Sequence, residues 1–477
     1  MQSQAKGYLT VFLSLSITII LSLILALYQG ARIGALKMKA ECVSDISMNS
    51  VLAEYHRELF KQYDLLMVDT SYGTLYPSII NVQEHMRFYA NKNFEKTTTG
   101  KIFGAARLTG MECETIAIPE FSIATDGEGA VFRRQILAYM TAEPAEEILQ
   151  EVTKNISILQ TNGFDKRDIE AEEVQNQSKI NEIGMPKTTD ANGQEQEIQL
   201  DGPAEDVASQ KRIGILALAI PENEDISNAT VQLSEYVSHR TQAKGTGLDE
   251  GEKLSLTDAI LIDQYMFEKC GRYTKKLDKS LLKYQLEYIL SGEKSDKENL
   301  DAVAKKLLFW REASNYTYLL SDSEKCAQAE AVAALLAAVI LEPELEEPVK
   351  YAILFAWAFA ESISDLKILF HEGSVPLVKN AATWKTNLFG LSDLRLSGGK
   401  GEEGLTYEDY LRMLLFMEGV QIKSQRLMDI MEMDIRKTAG NSAFRIDACL
   451  DCFTGELCFI DRKGFSDKII KTYGYEK

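Results

Sequence analysis

The sequence has little histidine and little cysteine, and neither residue is arranged for metal or redox chemistry. The four histidines lie far apart, and none forms a pair with the spacing of a zinc site. The seven cysteines are too few and too scattered for a disulfide-dense scaffold, and their odd number leaves at least one free or paired with another chain. These shortages argue against a zinc hydrolase and against a small disulfide-stabilised domain.

Catalytic motifs are also missing. The sequence contains no Walker loop, no Gly-x-Ser-x-Gly elbow and no dinucleotide-binding fingerprint. Asp64 and Asp69 flank a short predicted strand and are interpreted as solvated turn residues. Cys449 and Cys452 are interpreted as packing residues of a strand, with a disulfide to Cys458 or a metal site as the alternatives. We therefore predict no catalytic residue, no cofactor and no metal, and we expect the protein not to be an enzyme.

Positive charge is scarce as well. Lys and Arg number 52 against 71 Asp and Glu, which gives a formal net charge of −19 and a pI near 4.9. Such a chain repels phosphate backbones, so nucleic acid is not expected as a partner.

Helix-breaking residues are absent from much of the N-terminal part. No proline precedes Pro77, and no glycine lies between Gly34 and Gly73. Apolar residues recur at three- and four-residue spacings as far as Tyr63, which indicates an amphipathic helix. We predict one long helix that ends near this tyrosine, with a break into two helices near residues 30–34 as the alternative.

The first part of this helix carries a long uncharged apolar run. Residues 8–28 contain no charge, and at about 1.5 Å per residue they span a hydrocarbon core roughly 30 Å thick. A cleaved secretory signal fits less well, because the run exceeds an h-region of about 7–15 residues. After the run, no small-x-small cleavage site occurs before the basic residues Arg32, Lys37 and Lys39. The run therefore predicts a single transmembrane helix in contact with lipid.

Small residues recur at every fourth position through the same segment. A ridge of small residues lets another helix approach closely, and since four residues turn a helix by about 400°, the partner would cross obliquely. The alternative is the ordinary composition of spanning helices, with hydroxyls bonded to their own backbone. The predicted helix-packing ridge consists of Thr10, Ser14, Thr18, Ser22, Ala26, Gly30 and Gly34.

Patterns along the chain predict a mainly helical α+β protein in five parts. Residues 1–34 form an N-terminal tip and the transmembrane helix, and residues 35–65 form an amphipathic helical stalk. Residues 66–162 form a small α+β region. Residues 163–210 are rich in polar residues and almost free of aromatics, which predicts a linker or insertion. Residues 211–477 form a helix-rich ectodomain that ends in a β-hairpin.

Local signals predict the strands. Alternating apolar residues indicate a strand over residues 115–123, and the apolar run 213–220 suits a buried strand. A C-terminal hairpin is predicted within residues 444–460, with its turn at Thr454 and Gly455.

Helical spacing and capping signals predict the helices. Capping boxes are expected to begin at Ser295, Ser321 and Thr406. The short all-apolar stretches 331–341 and 351–360 are expected to be buried core helices, because they are too short to span a membrane. Helices are predicted over residues 79–91, 132–150, 257–270, 278–290, 298–320, 324–341, 349–370 and 407–435, and the helix over 132–150 is expected to be interrupted or to restart near Pro144.

Six short segments of the sequence resemble an uncharacterised family of clostridial-type membrane proteins. Members of that family are associated with tight-adherence (Flp-type) pilus machinery. These family-like segments lie towards both ends of the chain, and the polar middle contains none of them. They are residues 6–12 (KGYLTVF), 54–59 (EYHREL), 63–66 (YDLL), 321–325 (SDSEK), 375–379 (VPLVK) and 405–411 (LTYEDYL).

Lys6 and Gly7 before the apolar helix also resemble the class III leader of type IV pilins and pseudopilins. The resemblance implies cleavage between Gly7 and Tyr8, a cytoplasmic N-terminal tip and an extracytoplasmic bulk. The chain departs from the pattern at Phe12, where pilins usually carry Glu. A simple reading of the positive-inside rule on the three basic residues after the run implies the opposite orientation, and we follow the resemblance.

The sequence therefore leaves two functional hypotheses. The first is a membrane-anchored structural component, a minor pseudopilin-like or assembly protein of a tight-adherence type pilus or secretion system. Its expected partners are membrane lipid and other transmembrane helices, including pilin-like or pilus assembly proteins. The alternative is an anchored extracytoplasmic ligand-binding or enzymatic ectodomain of unknown specificity, for which the size of the helical C-terminal region is the argument.

Overall fold

A computed structural model of the chain confirms the predicted class, which is α+β and mainly helical. It begins with a long apolar helix and ends with two antiparallel strands. The described residues are 2–94, 110–184, 187–189, 195–197, 202–220, 224–248, 253–394, 401 and 403–475.

The helices range from one turn to fourteen turns in length. In chain order they are α1 (Gln2–Leu52), α2 (Arg57–Tyr63), α3 (Ile79–Phe94), α4 (Asp126–Tyr139), α5 (Ala145–Thr161), α6 (Ile169–Ile183), α7 (Pro203–Lys211), α8 (Ile215–Ala219), α9 (Leu256–Lys269), α10 (Gln285–Ser291), α11 (Asp296–Ser321), α12 (Ser323–Ile340), α13 (Glu346–Phe370), α14 (Tyr407–Met417) and α15 (Val420–Arg436).

The strands form one larger sheet and two short antiparallel pairs, β3 with β4 and β5 with β6. In chain order they are β1 (Val68–Asp69), β2 (Met111–Ile123), β3 (Lys187–Thr189), β4 (Glu195–Glu197), β5 (Ser374–Val375), β6 (Leu405–Thr406), β7 (Cys449–Asp461) and β8 (Ser466–Gly474).

The chain divides into two compact units, and both are discontinuous in sequence. Unit 1 combines Met1–Tyr139, Thr241–Lys253 and Ile435–Lys477, and unit 2 combines Met140–Arg240 and Leu254–Asp434. This division differs from the five consecutive parts that the sequence predicts. The reason is that β7 and β8, at the C-terminal end, form their sheet with the N-terminal β1 and β2. Pairing between such distant segments leaves no local mark in a sequence.

β7 is the central strand of the sheet in unit 1. It pairs antiparallel with β2 along one edge and with β1 and β8 along the other. Leu457, for example, lies between Ile116 of β2 and Ile469 of β8. The predicted strand 115–123 is confirmed as the greater part of β2.

The C-terminal hairpin exists, but its predicted turn is wrong. Thr454 and Gly455 lie inside β7, and the chain turns instead at residues 462–465. Gly455 has a packing role there, because a Cβ at this position would lie 3.0 Å from Cε of Met48 in α1. Glycine inside a strand often marks such a close approach.

The second half of α1 packs against this sheet and against α3. Leu36, Ala40 and Met48 are fully buried in one hydrophobic core with residues of α3, β2, β7 and β8. The amphipathic spacing is thus confirmed, but the predicted stalk 35–65 belongs to a folded unit.

α1 also ends earlier than predicted, at Leu52. The backbone N–H of His56 donates to the carbonyl of Met67 at 2.8 Å, and the His56 side chain caps α2 by accepting from Leu59 N at 3.2 Å. Neither glycine nor proline causes the break. A tertiary hydrogen bond and a cap cause it, and helical periodicity does not report either one.

α13 is the central helix of unit 2. It is buried along nearly its whole length, and α6, α7, α8, α11 and α12 pack around it. The prediction of a buried core helix over residues 351–360 is confirmed. The same prediction for residues 331–341 is wrong, because α12 buries one face only and leaves Leu335 68% and Val339 78% exposed.

The predicted polar linker, residues 163–210, contains two packed helices, α6 and α7. Parts of this segment lie outside the described residues. Phe164, Ile180 and Val207 are buried. Buried amides add hydrogen bonds: Asn176 donates to the carbonyl of Pro348 at 2.8 Å, and Gln210 donates to that of Leu391 at 3.0 Å. The composition argument failed because polar amides bond to buried backbone here.

Several local predictions also change. Residues 213–220 contain the helix α8 and no strand, and the predicted helix 407–435 divides into α14 and α15 at Gly419. Ser321 belongs to α11, and the cap of α12 is Asp322. Asp69 is buried and accepts from Ser71 N at 2.8 Å, so it is not a solvated turn residue.

Candidate functional site

The first half of α1 is an apolar surface that no described part of the chain covers. Its large side chains from Tyr8 to Leu27 are each more than half exposed. The helix is long and apolar enough to cross a membrane, by length and composition, as a membrane anchor or a signal sequence. A surface of this size is stable only when lipid or other apolar groups cover it.

The predicted ridge lies entirely on this exposed half. Its hydroxyls bond to carbonyls of the preceding turn, for example Ser14 to Val11 at 2.9 Å, Thr18 to Ser14 at 2.7 Å and Ser22 to Ile19 at 2.8 Å. No other atom lies within 4 Å of a Cβ built at Gly30 or Gly34. The ridge is therefore free of unsatisfied hydroxyls and sterically open.

The predicted cleavage point also lies within α1. Gly7 has no neighbour within 4 Å of a built Cβ, and Tyr8 is 80% exposed. Leader cleavage between these two residues stays a prediction.

The basic residues that follow the run have different surroundings. Arg32 forms an ion pair with Asp461 at the end of β7. Lys39 lies 5.1 Å from the ring centroid of Phe94, and its burial lowers the pKa of its ammonium group. Lys37 is exposed.

Unit 2 contains a buried charge quartet that sequence analysis did not identify. Arg311 Nε lies 2.9 Å from Asp365 Oδ2, and Lys379 Nζ lies 2.6 Å from Asp365 Oδ1 and 2.5 Å from Glu361 Oε1. All four side chains are at most 1% exposed. Two cations and two carboxylates thus neutralise one another inside the helical core.

The quartet fixes the loop that follows α13. Arg311 donates to the carbonyl of Pro376 at 2.8 Å, while Glu361 accepts the backbone N–H groups of Lys385 and Thr386 at 3.0 and 2.8 Å. A cavity of about 250 Å³ borders Asp365 and the Lys379 side chain. The four charges are paired with one another, and their remaining hydrogen bonds hold the loop in place.

Sequence signals for the quartet do exist. Glu361 and Asp365 lie four residues apart in a mostly apolar helix, so both project from one face. Lys379 is the last residue of one family-like segment, 375–379. Tyr410 lies in another, 405–411, and its hydroxyl accepts a hydrogen bond from Arg311 at 3.1 Å. Two carboxylates in a buried helix require partners, and this was the available clue.

Other buried carboxylates of unit 2 accept hydrogen bonds from loops. Glu287 accepts from Tyr273 N at 2.9 Å and from the Tyr407 hydroxyl at 2.7 Å, but its Oε2 has no hydrogen-bond partner among the described residues. Burial raises the pKa of Glu287 to about 7. Asp429 accepts from Ser238 N at 2.9 Å, and burial raises its pKa to about 6.

In the described ranges, no three His, Cys, Asp or Glu side chains are grouped to hold a metal ion. Cys449 and Cys452 are both buried in β7, and all seven cysteines are free thiols.

One family model matches the chain. It is described as a family of unknown function (DUF5702), and it covers residues 193–459, more than half of the sequence. No curated protein and no solved structure gives a significant match.

Lys379→Met is expected to lower the free energy of unfolding by about 3–5 kcal/mol, because it leaves Glu361 without its buried countercharge. Lys385→Met is the matched control. That side chain is exposed, and its change should stay within about 0.5 kcal/mol. Urea unfolding in detergent measures both, and equal losses would contradict a structural quartet.

Glu287→Gln is expected to flatten the pH dependence of stability. The folded pKa of about 7 exceeds the ordinary value of 4.5, so between these values the folded state binds the extra proton. Stability from this group is present below about pH 4.5 and is lost as the pH rises to about 7, by up to about 3 kcal/mol.

Urea unfolding from pH 5 to pH 8 measures this slope. The variant should lose less stability over the range than the wild type does, and the exposed Glu205→Gln should behave as the wild type. An unchanged slope in Glu287→Gln would contradict the assignment.

Proposed function

Because this chain belongs to the DUF5702 family, which has no assigned function, we propose a role from the chain's own geometry. The protein is a membrane-anchored structural component, with the first half of α1 in the bilayer and packed against other transmembrane helices. The observation that carries the proposal is the uncovered apolar half of α1.

The internal bonding of the ridge hydroxyls supports this placement. In hydrocarbon, an unsatisfied hydroxyl is costly, and Ser14, Thr18 and Ser22 are each satisfied by their own helix. The small side chains then allow close packing by van der Waals contact.

The continuity of α1 supports an assembly role. The same helix carries the exposed apolar half and the core of unit 1, so a contact made by the first half is transmitted rigidly to the folded part. A subunit that is positioned in an assembly by its helix needs such a connection.

The family-like segments and the pilin-like leader support a more specific role in a pilus or secretion system. We assign the protein as a minor pseudopilin-like or assembly component of a tight-adherence type pilus or secretion system, with an extracytoplasmic bulk. Phe12, at the position where pilins carry Glu, favours an assembly role over incorporation into a filament. The alternative, an enzymatic or ligand-binding ectodomain, has less support, because Asp365 and Lys379, which border the cavity of about 250 Å³ in unit 2, are paired with each other.

Ser14→Leu combined with Ser22→Leu is expected to leave membrane insertion intact and to weaken helix association several-fold, because branched side chains hold two backbones apart. Ser16→Leu is the matched control, since two residues turn a helix by about 200° and place Ser16 away from the ridge. Crosslinking in membranes measures association. Equal crosslinking in the double variant and the control would remove the ridge from the proposal.

The topology is tested by a single cysteine in a chain whose seven native cysteines are replaced. Ser209→Cys, at an exposed position of α7, is expected to react with a membrane-impermeant thiol reagent in intact cells. Labelling of Ser209→Cys only after lysis would contradict the extracytoplasmic placement and the pseudopilin-like assignment.

A further inference from the structure

Three contacts set the register between α1 and the β7–β8 hairpin of unit 1. Arg32 pairs with Asp461, Asp45 accepts from Lys471 at 2.5 Å, and the carbonyl of Leu52 accepts from the Tyr475 hydroxyl. Successive positions of α1 thus contact successive positions of the hairpin, from the last residue of β7 to the residue after β8. The hairpin therefore runs along the second half of α1, and its turn lies at the end nearest the apolar run.

The turn itself is held in a fixed conformation. Asp461 Oδ1 accepts the backbone N–H groups of Lys463 and Phe465, both at 2.8 Å, and Gly464 has a positive φ of 86°. The side chains of Arg462 and Lys463 are exposed. Two cations are therefore presented on a rigid turn beyond the end of β7.

The distance between this turn and the apolar run is short. Tyr28 precedes Arg32 by four residues, or about 6 Å of helix, and the polar headgroup layer on each side of a bilayer is about 5–7 Å thick. If the apolar run spans the bilayer, as the proposed function requires, Asp461 and the turn lie at headgroup level.

We propose that the β7–β8 turn, residues 462–465, is a lipid-contacting site in which Arg462 and Lys463 bind the phosphates of anionic headgroups. The inference rests on the membrane anchoring proposed above. The charge of Asp461 does not oppose binding, because Arg32 neutralises it. Exposed Lys37 adds a further cation at this end, and exposed Glu112, opposite Ile460, is an acid nearby.

The test compares two lysines of the same molecule. The full chain is reconstituted into vesicles of phosphatidylcholine, alone or with about 30% phosphatidylglycerol, and treated with a water-soluble acetylating reagent. Lys463 should be acetylated about fivefold less in the anionic vesicles, and about 0.5 M NaCl should remove the difference. Lys61 is the internal control, because α2 lies beyond the other end of α1, and its acetylation should be equal in both vesicles.

A matched pair of variants adds a second readout. Arg462→Ser should reduce the protection of Lys463, whereas Arg57→Ser, which removes the same charge from α2, should leave it unchanged. Equal acetylation of Lys463 in both vesicles, or equal protection of Lys61, would overturn the inference while flotation with the vesicles still supported the anchor. A chain that does not float with either vesicle would overturn the anchor and this inference together.

Discussion

The packing of α1 on the sheet of unit 1 is the interaction on which the rest of the account depends. Leu36, Ala40 and Met48 are buried there, and the burial of a large apolar side chain such as Leu36 or Met48 contributes about 1.5–3 kcal/mol. The packing fixes the direction in which the first half of α1 leaves the folded unit. It also places the β7–β8 turn beside the end of the apolar run. The proposed anchor and the proposed lipid contact both depend on this helix, whose first half is exposed and whose second half is packed on the sheet.

Unit 2 is organised by a different constraint, the need to satisfy buried carboxylates. Its helices carry Glu287, Glu361 and Asp429 into the core, and backbone N–H groups of irregular loops donate to each of them. The loops thereby gain fixed positions without regular secondary structure, and the carboxylates gain partners. Burial raises the pKa of Glu287 and of Asp429, and Oε2 of Glu287 has no hydrogen-bond partner among the described residues.

The sequence predicted features that arise from local patterns. The apolar run, the amphipathic spacing of α1, most helices of unit 2, the N-cap at Ser295 and the capping box at Thr406 are of this kind. It did not predict features that depend on distant partners. Gly455 was predicted to lie in a turn, but it lies inside a strand, where Met48 of α1 approaches it closely. The segment around Gln210 was predicted to be a polar linker, because composition does not report its hydrogen bonds to the loop after α13. The quartet around Lys379 was missed for the same reason.

The measurement that tests the central claim most directly is amide hydrogen exchange along α1 in vesicles, read by mass spectrometry on the full chain. If one helix is covered by lipid over its first half and by the sheet over its second, residues 8–33 and residues 36–52 should both exchange slowly. Fast exchange over residues 8–33 beside slow exchange over residues 36–52 would show the apolar half in water, and would contradict the account.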